Sequence, residues 1–209
     1  MANENYDALQ AEVSKRLRDI FNLMDEHRVA QGREPAFNGP HFMETPDRVA
    51  KMWVKEKMGG LFTNPPPIKE FPNPRYDAEN TFTNLQKLGP FSIRSMCSHH
   101  LVPIVGQCWV ITSSNDENVL GISKFGRLID WACNRPTVQE DLAYLILEEV
   151  TKFNVYSFVG VVIKAQHLCM SWRGVESENS WFTTSAFSGE DDYDIMQFTK
   201  VYETILGDN

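Results

Sequence analysis

Apolar residues recur at helical spacing in the first third of the chain. Between residues 6 and 30 they occupy every third or fourth position, which predicts an amphipathic helix that ends at Gly32. A second helix is predicted from Thr45–Pro46 to Gly59–Gly60. Threonine is a good N-cap, proline suits the first helical position, and glycine commonly ends a helix.

The period changes from helix to strand after a proline-rich connector. The segment Asn64–Pro74 contains five prolines, which favours an extended loop. In Phe91–Met96 the side chains alternate, and Ile104–Thr112 is rich in β-branched residues, so both segments are predicted strands. Val155–Lys164 and Trp181–Ala186 are two further candidate strands.

Helical patterns separate the two strand pairs and follow the second. One helix is predicted to begin at Ser123 and to end before Pro136. The next begins with Thr137–Glu140, which reads Thr-x-x-Glu and predicts a capping box. Asp191 and Asp192 are candidates to cap a last helix.

This order of elements predicts an α+β fold with helices on one face of an antiparallel sheet. We expect an N-terminal helical region at 1–63, a connector at 64–80 and a catalytic domain at 81–209. A sheet this small has unpaired edges and one poorly covered face, which self-association would cover.

Composition narrows the function classes. Of the 209 residues, 42% are hydrophobic and 23% charged, and the net charge is −8, as in globular proteins that act neither on nucleic acid nor in a membrane. The first residues lack the apolar core of a signal peptide. Four irregularly spaced cysteines do not indicate a disulfide framework, so we expect a reducing, cytoplasmic setting.

Two short segments carry residues that bind zinc. Cys97 and His100 are three residues apart, and Cys169 follows about 70 positions later. Thiolate and neutral imidazole are preferred zinc ligands, and a catalytic site keeps three of them with one open position. His99 and His167 would lie beside that position. Each residue alone is more often a buried thiol or an ordinary histidine, but the set together favours a metal site.

The same segments carry a resemblance to a known family. The motifs lie, in this order, at Cys97–Pro103 (Cys-x-His-His-Leu-Val-Pro), Gly121–Arg127 (Gly-x-Ser-Lys-x-x-Arg), Val138–Glu140 (Val-Gln-Glu) and His167–Gly174 (His-x-Cys-Met-x-x-Arg-Gly). They resemble zinc-dependent GTP cyclohydrolase I, and the match runs from about Thr45 to Ser185.

The resemblance implies a fold, an assembly and a reaction. The fold would be the T-fold, in a large homo-oligomer that is commonly a decamer with sites at subunit interfaces. The reaction would open the imidazole ring of GTP, release formate and form 7,8-dihydroneopterin triphosphate. Cys97, His100 and Cys169 would hold Zn²⁺, His99 would donate a proton to the purine, and His167 would act as a proton shuttle.

The resemblance also implies how GTP is bound. Lys124 and Arg127 lie in the predicted first turn of a helix, whose N-terminus favours anions. Glu140 would accept hydrogen bonds from guanine N1–H and the 2-amino group. The full set of implied substrate-binding residues is Arg48, Lys51, Ser123, Lys124, Arg127, Gln139, Glu140 and Arg173.

One departure from the family's pattern leaves alternatives open. Ser98 stands where the family usually has Glu, which changes a contact near the metal ligands. A zinc-stabilised module without catalysis, or a sibling T-fold enzyme acting on a pterin or deazapurine, are the alternatives to the cyclohydrolase. The pathway that uses the product (folate, a modified tRNA base or a biopterin-type cofactor) does not follow from the sequence.

Overall fold

The protein is represented by a computed structural model that describes residues 2–74, 76, 84–114, 116–189 and 192–207. The chain divides into two compact units, Met1–Gly59 and Gly60–Asn209. The predicted boundary between residues 80 and 81 lies outside the described residues. No helix in the described ranges combines the length and apolarity needed to cross a membrane.

The N-terminal unit is helical, as the periodicity predicted. Its elements are α1 (Ala2–Ala30), α2 (Thr45–Lys51) and a π-helical segment (Met52–Lys57). Asp47 holds α2 against α1, because it accepts a 2.6 Å hydrogen bond from Ser14 and pairs with Arg18. The Ser14 hydroxyl, with a smaller contribution from Arg18, lowers the pKa of Asp47.

The prediction of one continuous second helix was wrong in detail. The α-helical geometry ends at Lys51, and the chain continues with wider π turns to Lys57. Over so few residues the apolar spacing of an α-helix and a π-helix is nearly the same, so the sequence pattern does not distinguish them.

The second unit contains seven strands and four helices among its described residues. The strands are β1 (Glu70–Pro72), β2 (Asn84–Cys97), β3 (Pro103–Ser114), β4 (Asn118–Leu120), β5 (Pro136–Thr137), β6 (Phe158–His167) and β7 (Trp181–Ser188). The helices are α3 (Ile122–Cys133), α4 (Gln139–Thr151), α5 (Leu168–Ser171) and α6 (Asp192–Gly207).

Five strands form the main sheet in the order β5-β2-β3-β6-β7. All neighbours are antiparallel except β2 and β5, which pair in parallel over two residues. β1 and β4 form a separate two-stranded sheet, so the connector that was predicted to be a loop contributes a short strand. The sheet order brings the ends of β2, β5 and β6 together, and several of the predicted site residues lie there.

Alternation along the strands builds two separate cores. Cys108 and Val110 of β3 face the main core, which α3 and α4 cover. Trp109 and Ile111, one position on, face the opposite side, where Phe198 of α6 packs. The sequence predicted helices on one face, and α3 and α4 meet that expectation, while α6 additionally covers part of the other face. The described part of α6 begins at Asp192, and Asp191 lies outside the described residues.

Candidate functional site

The bend between β2 and β3 presents two adjacent histidines. It is closed by two backbone hydrogen bonds, from Cys97 N–H to the Val102 carbonyl (2.8 Å) and from Leu101 N–H to the Cys97 carbonyl (2.9 Å). Leu101 adopts a positive φ of 55°, a conformation that a branched side chain adopts only at some energetic cost. The reversal directly after His99 and His100 keeps both side chains beside Cys97.

The second ligand segment differs from its prediction. His167 and Cys169 were expected to share a face if the strand continued, but β6 ends at His167 and α5 begins at Leu168. Cys169 therefore lies in a helical turn. The change of geometry still brings the Cys169 sulfur to the bend between β2 and β3.

The three predicted ligands meet in space. The donor atoms of Cys97, His100 and Cys169 all lie within 4.8 Å of one another. Tetrahedral zinc, with Zn–S of about 2.3 Å and Zn–N of about 2.0–2.1 Å, sets such donors about 3.5–3.8 Å apart. An approach of about 1.3 Å or less would complete that geometry. Two sulfurs and one imidazole nitrogen are also the soft donor set that zinc accepts, so the residues fit the ion.

The protonation state of the Cys169 thiol depends on whether a metal ion is bound. Burial, and after it the neighbouring Cys97, raises the pKa of the Cys169 thiol above its ordinary value. A thiol in this setting stays protonated near neutral pH unless a metal ion favours the thiolate. Binding of a metal should therefore release protons.

Arg173 contacts one of the ligands directly. Its Nη1 lies 3.1 Å from His100 Nε2. A guanidinium group donates and cannot accept, so Nε2 accepts in this contact. A ligating imidazole uses one nitrogen for the metal and carries hydrogen on the other. The Arg173 guanidinium therefore lies directly beside the predicted ligand cluster.

A pocket of about 400 Å³ opens beside the ligand cluster. Its lining combines two of the ligands, both remaining candidate histidines, the start of α4 and the first residues of β7: Cys97, His99, Thr137, Val138, Gln139, Glu140, His167, Cys169, Met170, Ser180, Trp181 and Phe182. The contributions of Met170, Trp181 and Phe182 were not predicted. For Trp181 and Phe182 the available signal was two adjacent aromatic residues at the start of a predicted strand.

His99 is held toward the ligand cluster. Its Nδ1 lies 3.6 Å from the sulfur of Cys97. In a thiolate form the sulfur accepts from Nδ1–H, which fixes the ring and leaves Nε2 for another partner. This is the arrangement commonly found around ligating thiolates and imidazoles.

The start of α4 does not form the predicted capping box. The N-cap residue is Val138, with extended dihedral angles (φ −97°, ψ 156°), and no side-chain hydrogen bond caps the helix in the described structure. Thr137 is occupied differently, because its hydroxyl donates to the Val138 carbonyl (3.0 Å). The motif was right about where a helix starts and wrong about the capping contact, since the β5 pairing of Thr137 with Cys97 places the threonine outside the helix. Glu140 is thus available to the pocket.

Gln139 is fully buried at the first position of α4. Its side-chain nitrogen lies 3.0 Å from the Ile163 carbonyl, 3.1 Å from the Phe182 carbonyl and 3.1 Å from Thr184 Oγ1. Its oxygen lies 2.9 Å from His167 Nε2. The sequence did not predict that Gln139 would be fully buried, because glutamine is mostly exposed in proteins.

His167 is poised to be neutral. Burial lowers the pKa of its imidazole, and the carboxylate of Glu140 opposes that change with a smaller effect. A neutral imidazole can accept a proton at pH 7.

The predicted phosphate-binding residues are distributed over both units. Lys124 and Arg127 lie in the first two turns of α3 and are not among the described lining of the pocket, and exposed Ser123 lies beside them. Arg48 and Lys51 belong to α2 of the N-terminal unit, where they pair with Glu44 and Glu56 respectively.

Comparisons with known proteins agree with the motifs. The family model described as GTP cyclohydrolase I matches residues 26–206. A protein named GTP cyclohydrolase 1 from Flavobacterium johnsoniae is 34% identical over 82% of this chain and 79% of its own. Another with the same name, from Thermoanaerobacter pseudethanolicus, is 34% identical over 85% of this chain and 86% of its own. Among solved structures, the archaeosine synthase QueF-Like in the apo form matches with a TM-score of 0.41 and 19% identity, over 52% of this chain and 95% of that chain.

Proposed function

The chain belongs to the GTP cyclohydrolase I family, a family of T-fold enzymes, and from this premise we propose how its residues carry the reaction. The activity is the hydrolytic opening of the GTP imidazole ring, with release of formate and formation of 7,8-dihydroneopterin triphosphate. The observation that carries the proposal is the convergence of the Cys97–His100–Cys169 donors on a pocket that also contains His99, Glu140 and His167.

Zinc is the metal that this donor set fits best. When bound, it supplies a Lewis acid and an activated water near neutral pH. Cys97 and Cys169 would bind as thiolates and His100 as a neutral imidazole.

The two remaining histidines handle protons. His99, oriented by the Cys97 sulfur through Nδ1, holds a proton on Nε2 for the purine nitrogen next to the attacked carbon. His167, whose pKa burial lowers, accepts protons in the ring-opening steps.

Glu140 and the aromatic wall orient the base. An ionised carboxylate accepts from guanine N1–H and the 2-amino group together. Trp181 and Phe182 supply an apolar surface on which a purine can stack, and they limit access of bulk water to the reacting carbon.

The triphosphate would be bound by cations that are not among the described lining residues of the pocket. Lys124, Arg127 and Arg173 are the candidates from the second unit, and Arg48 and Lys51 are the candidates from the first. The location of Lys124 and Arg127 outside the described pocket lining, together with β7 at the edge of the sheet, supports a homo-oligomer with composite sites. A decamer in the cytoplasm, feeding a pterin-dependent pathway such as tetrahydrofolate biosynthesis, is the assembly and setting we propose.

The metal and the reaction are tested together. Purified protein is given GTP, and formate and the fluorescent oxidised pterin are measured beside zinc content. We expect about one zinc per chain, as one three-ligand site requires, and loss of both zinc and turnover in Cys169→Ser. Cys133→Ala is the control, because Cys133 is a buried cysteine that is not a member of the donor group. Full zinc in Cys169→Ser would remove that residue from the site.

The composite site has its own experiment. Cys97→Ser is expected to be inactive, and Arg127→Ala to turn over little GTP when the assay is run at a GTP concentration well below its raised Kd. If the two residues serve one site from different chains, random co-assembly of the two variants should restore about a quarter of the sites. Failure of mixed oligomers to regain activity would place both residues in the same chain's site.

A further inference from the structure

The buried Gln139 side chain has one allowed orientation. Its terminal nitrogen faces two backbone carbonyls, of Ile163 and Phe182, within 3.1 Å. Carbonyl oxygens accept and never donate, so the atom facing them must be the NH₂ group. A flipped amide would set its own oxygen against both carbonyls inside the protein, which buried polar groups avoid.

This orientation determines the protonation pattern of His167. Since the Gln139 oxygen can only accept, the His167 Nε2 at 2.9 Å must donate. The neutral ring then carries its hydrogen on Nε2, and Nδ1 carries the lone pair. A free imidazole samples both tautomers, whereas this ring is held in one, with the ring plane fixed by the same contact.

We propose that Gln139 is a positioning residue that holds the His167 ring in one orientation, with the ring Nε2–H donated to the Gln139 side-chain oxygen. The inference rests on the proposed role of His167 in proton transfer, and it gives Gln139 a role in place of a side-chain contact with the guanine base. The Gln139 side chain is fully buried, its two N–H donors are shared among three acceptors, and its oxygen already accepts from His167.

The contacts of the Gln139 amide group with three other residues explain why Gln139 can hold His167 in a fixed position. Gln139 begins α4, Ile163 lies in β6, and Phe182 and Thr184 lie in β7. Its amide therefore bridges a helix start and two neighbouring strands, so the oxygen facing His167 has little freedom. Precise orientation of a catalytic group by locked neighbours is worth far more to a reaction than to folding stability.

The first experiment does not depend on activity. Protein labelled with ¹⁵N at its five histidines is examined by NMR, with the His167 signals assigned from a His167→Ala sample. We expect a protonated His167 Nε2 whose hydrogen exchanges slowly with solvent. In Gln139→Met, a substitution of similar length without hydrogen-bonding groups, exchange should be at least about 10-fold faster, because one buried hydrogen bond is lost. A His167 Nε2 without hydrogen, or unchanged exchange in Gln139→Met, would overturn the proposal.

The second experiment separates positioning from base recognition. Gln139→Met should lower kcat by about 10- to 100-fold, the range for a general acid or base that is misplaced, with zinc content and KM for GTP unchanged. In a His167→Ala background the same substitution should have less than about a twofold further effect, because coupled residues are not additive. The proposal would be overturned if Gln139→Met lowered kcat by the same factor in the wild type and in His167→Ala, or if it raised KM and left kcat unchanged.

Two controls keep these results interpretable. Thr184→Val removes one of the three acceptors of the amide and leaves Gln139 in place, so the exchange rate should lie between wild type and Gln139→Met. Thr184→Val can also replace Gln139→Met if Gln139→Met does not fold. The proposal would then be contradicted if the His167 Nε2 hydrogen exchanged rapidly in the wild type and at the same rate in Thr184→Val. Absence of formate release in the wild type would instead contradict the cyclohydrolase function, while the NMR result would still decide the tautomer.

Discussion

The helices α3 and α4 start in similar ways and carry opposite charges. Each begins after an N-cap residue in extended geometry, Gly121 (φ −65°, ψ 129°) and Val138 (φ −97°, ψ 156°), and neither has a side-chain cap bond in the described residues. The first turn of α4 contains Glu140 and Asp141, whereas α3 contains Lys124 and no acidic residue there.

The charges in the first turn of α4 stabilise that helix, whereas the lysine in the first turn of α3 is better suited to binding an anion. The positive end of the helix dipole favours carboxylates and disfavours cations, by about 0.3–1 kcal/mol each. The charges of α4 therefore agree with its own stability, and the Glu140 carboxylate has a folding role as well as the proposed role in binding. Lys124 opposes the dipole of α3, so its position is better explained by an anion that both the lysine and the helix N-terminus attract.

The largest expected effect lies at α4. Glu140→Gln places an amide donor against guanine donors, so kcat/KM for GTP should fall by about 100-fold or more, with a small loss of thermal stability. Asp141→Asn is the matched control, because it removes a carboxylate from the same helical turn but lies outside the described pocket lining. Steady-state kinetics and thermal unfolding of both variants are the measurements. If both variants had the same kcat/KM, Glu140 would have no role in binding GTP and would act only through its interaction with the helix dipole.

The next effect is expected at α3. Arg127→Ala should weaken GTP binding by about 1–3 kcal/mol, the range for a charge-assisted contact, which is about 5- to 150-fold in Kd. Exposed Lys200 on α6 offers the control substitution Lys200→Ala, which should leave Kd unchanged. Guanosine should be a very poor substrate for the wild type, and turnover of guanosine equal to that of GTP would contradict a triphosphate site.

A smaller effect should follow from giving α4 the cap it lacks. Val138→Ser supplies a side-chain oxygen in a residue that already has the extended geometry of an N-cap, which should stabilise the protein by about 0.5–1 kcal/mol. For a chain of this size that is a rise in Tm of about 1–4 °C. An unchanged or lower Tm would show that the half-buried Val138 side chain matters more than a capping bond.

The smallest expected change in stability tests the charge contrast directly. Lys124→Glu gives α3 the charge that α4 has, and it should stabilise the helix by about 0.3–1 kcal/mol while strongly weakening GTP binding. Stability and function would then move in opposite directions at one residue. If calorimetry shows a loss of stability instead, Lys124 makes a contact that the dipole argument omits.

The regular parts of this protein could be predicted because their signals are local. Apolar periodicity located the helices and strands, and four ordered motifs identified the family. The convergence of donors that could hold a metal was predictable because Cys97 and His100 are only three residues apart and have the chemistry of zinc ligands. In each case the residues that define the feature are close in sequence or have a distinctive chemistry.

The remaining features depend on partners distant in sequence. Thr137 fits a capping box by spacing, but its β5 pairing with Cys97 takes it out of the helix. His167 and Cys169 share a face in any strand pattern, yet the chain turns into α5 between them. The burial of Gln139 is decided by β6 and β7. Tertiary contacts override local patterns at such positions, and they are concentrated at the site.

The wall of the pocket also makes the protein an optical reporter of its own occupancy. Trp181 lines the pocket with 53% of its surface exposed, and the ammonium group of Lys164 lies 5.9 Å from its ring centroid. A purine stacked on this indole would quench its emission and shift it to shorter wavelength as water leaves the ring. With Trp181 retained and the other four tryptophans (Trp53, Trp109, Trp131 and Trp172) replaced by phenylalanine, nucleotide arrival could be followed in a stopped-flow fluorimeter without any added dye.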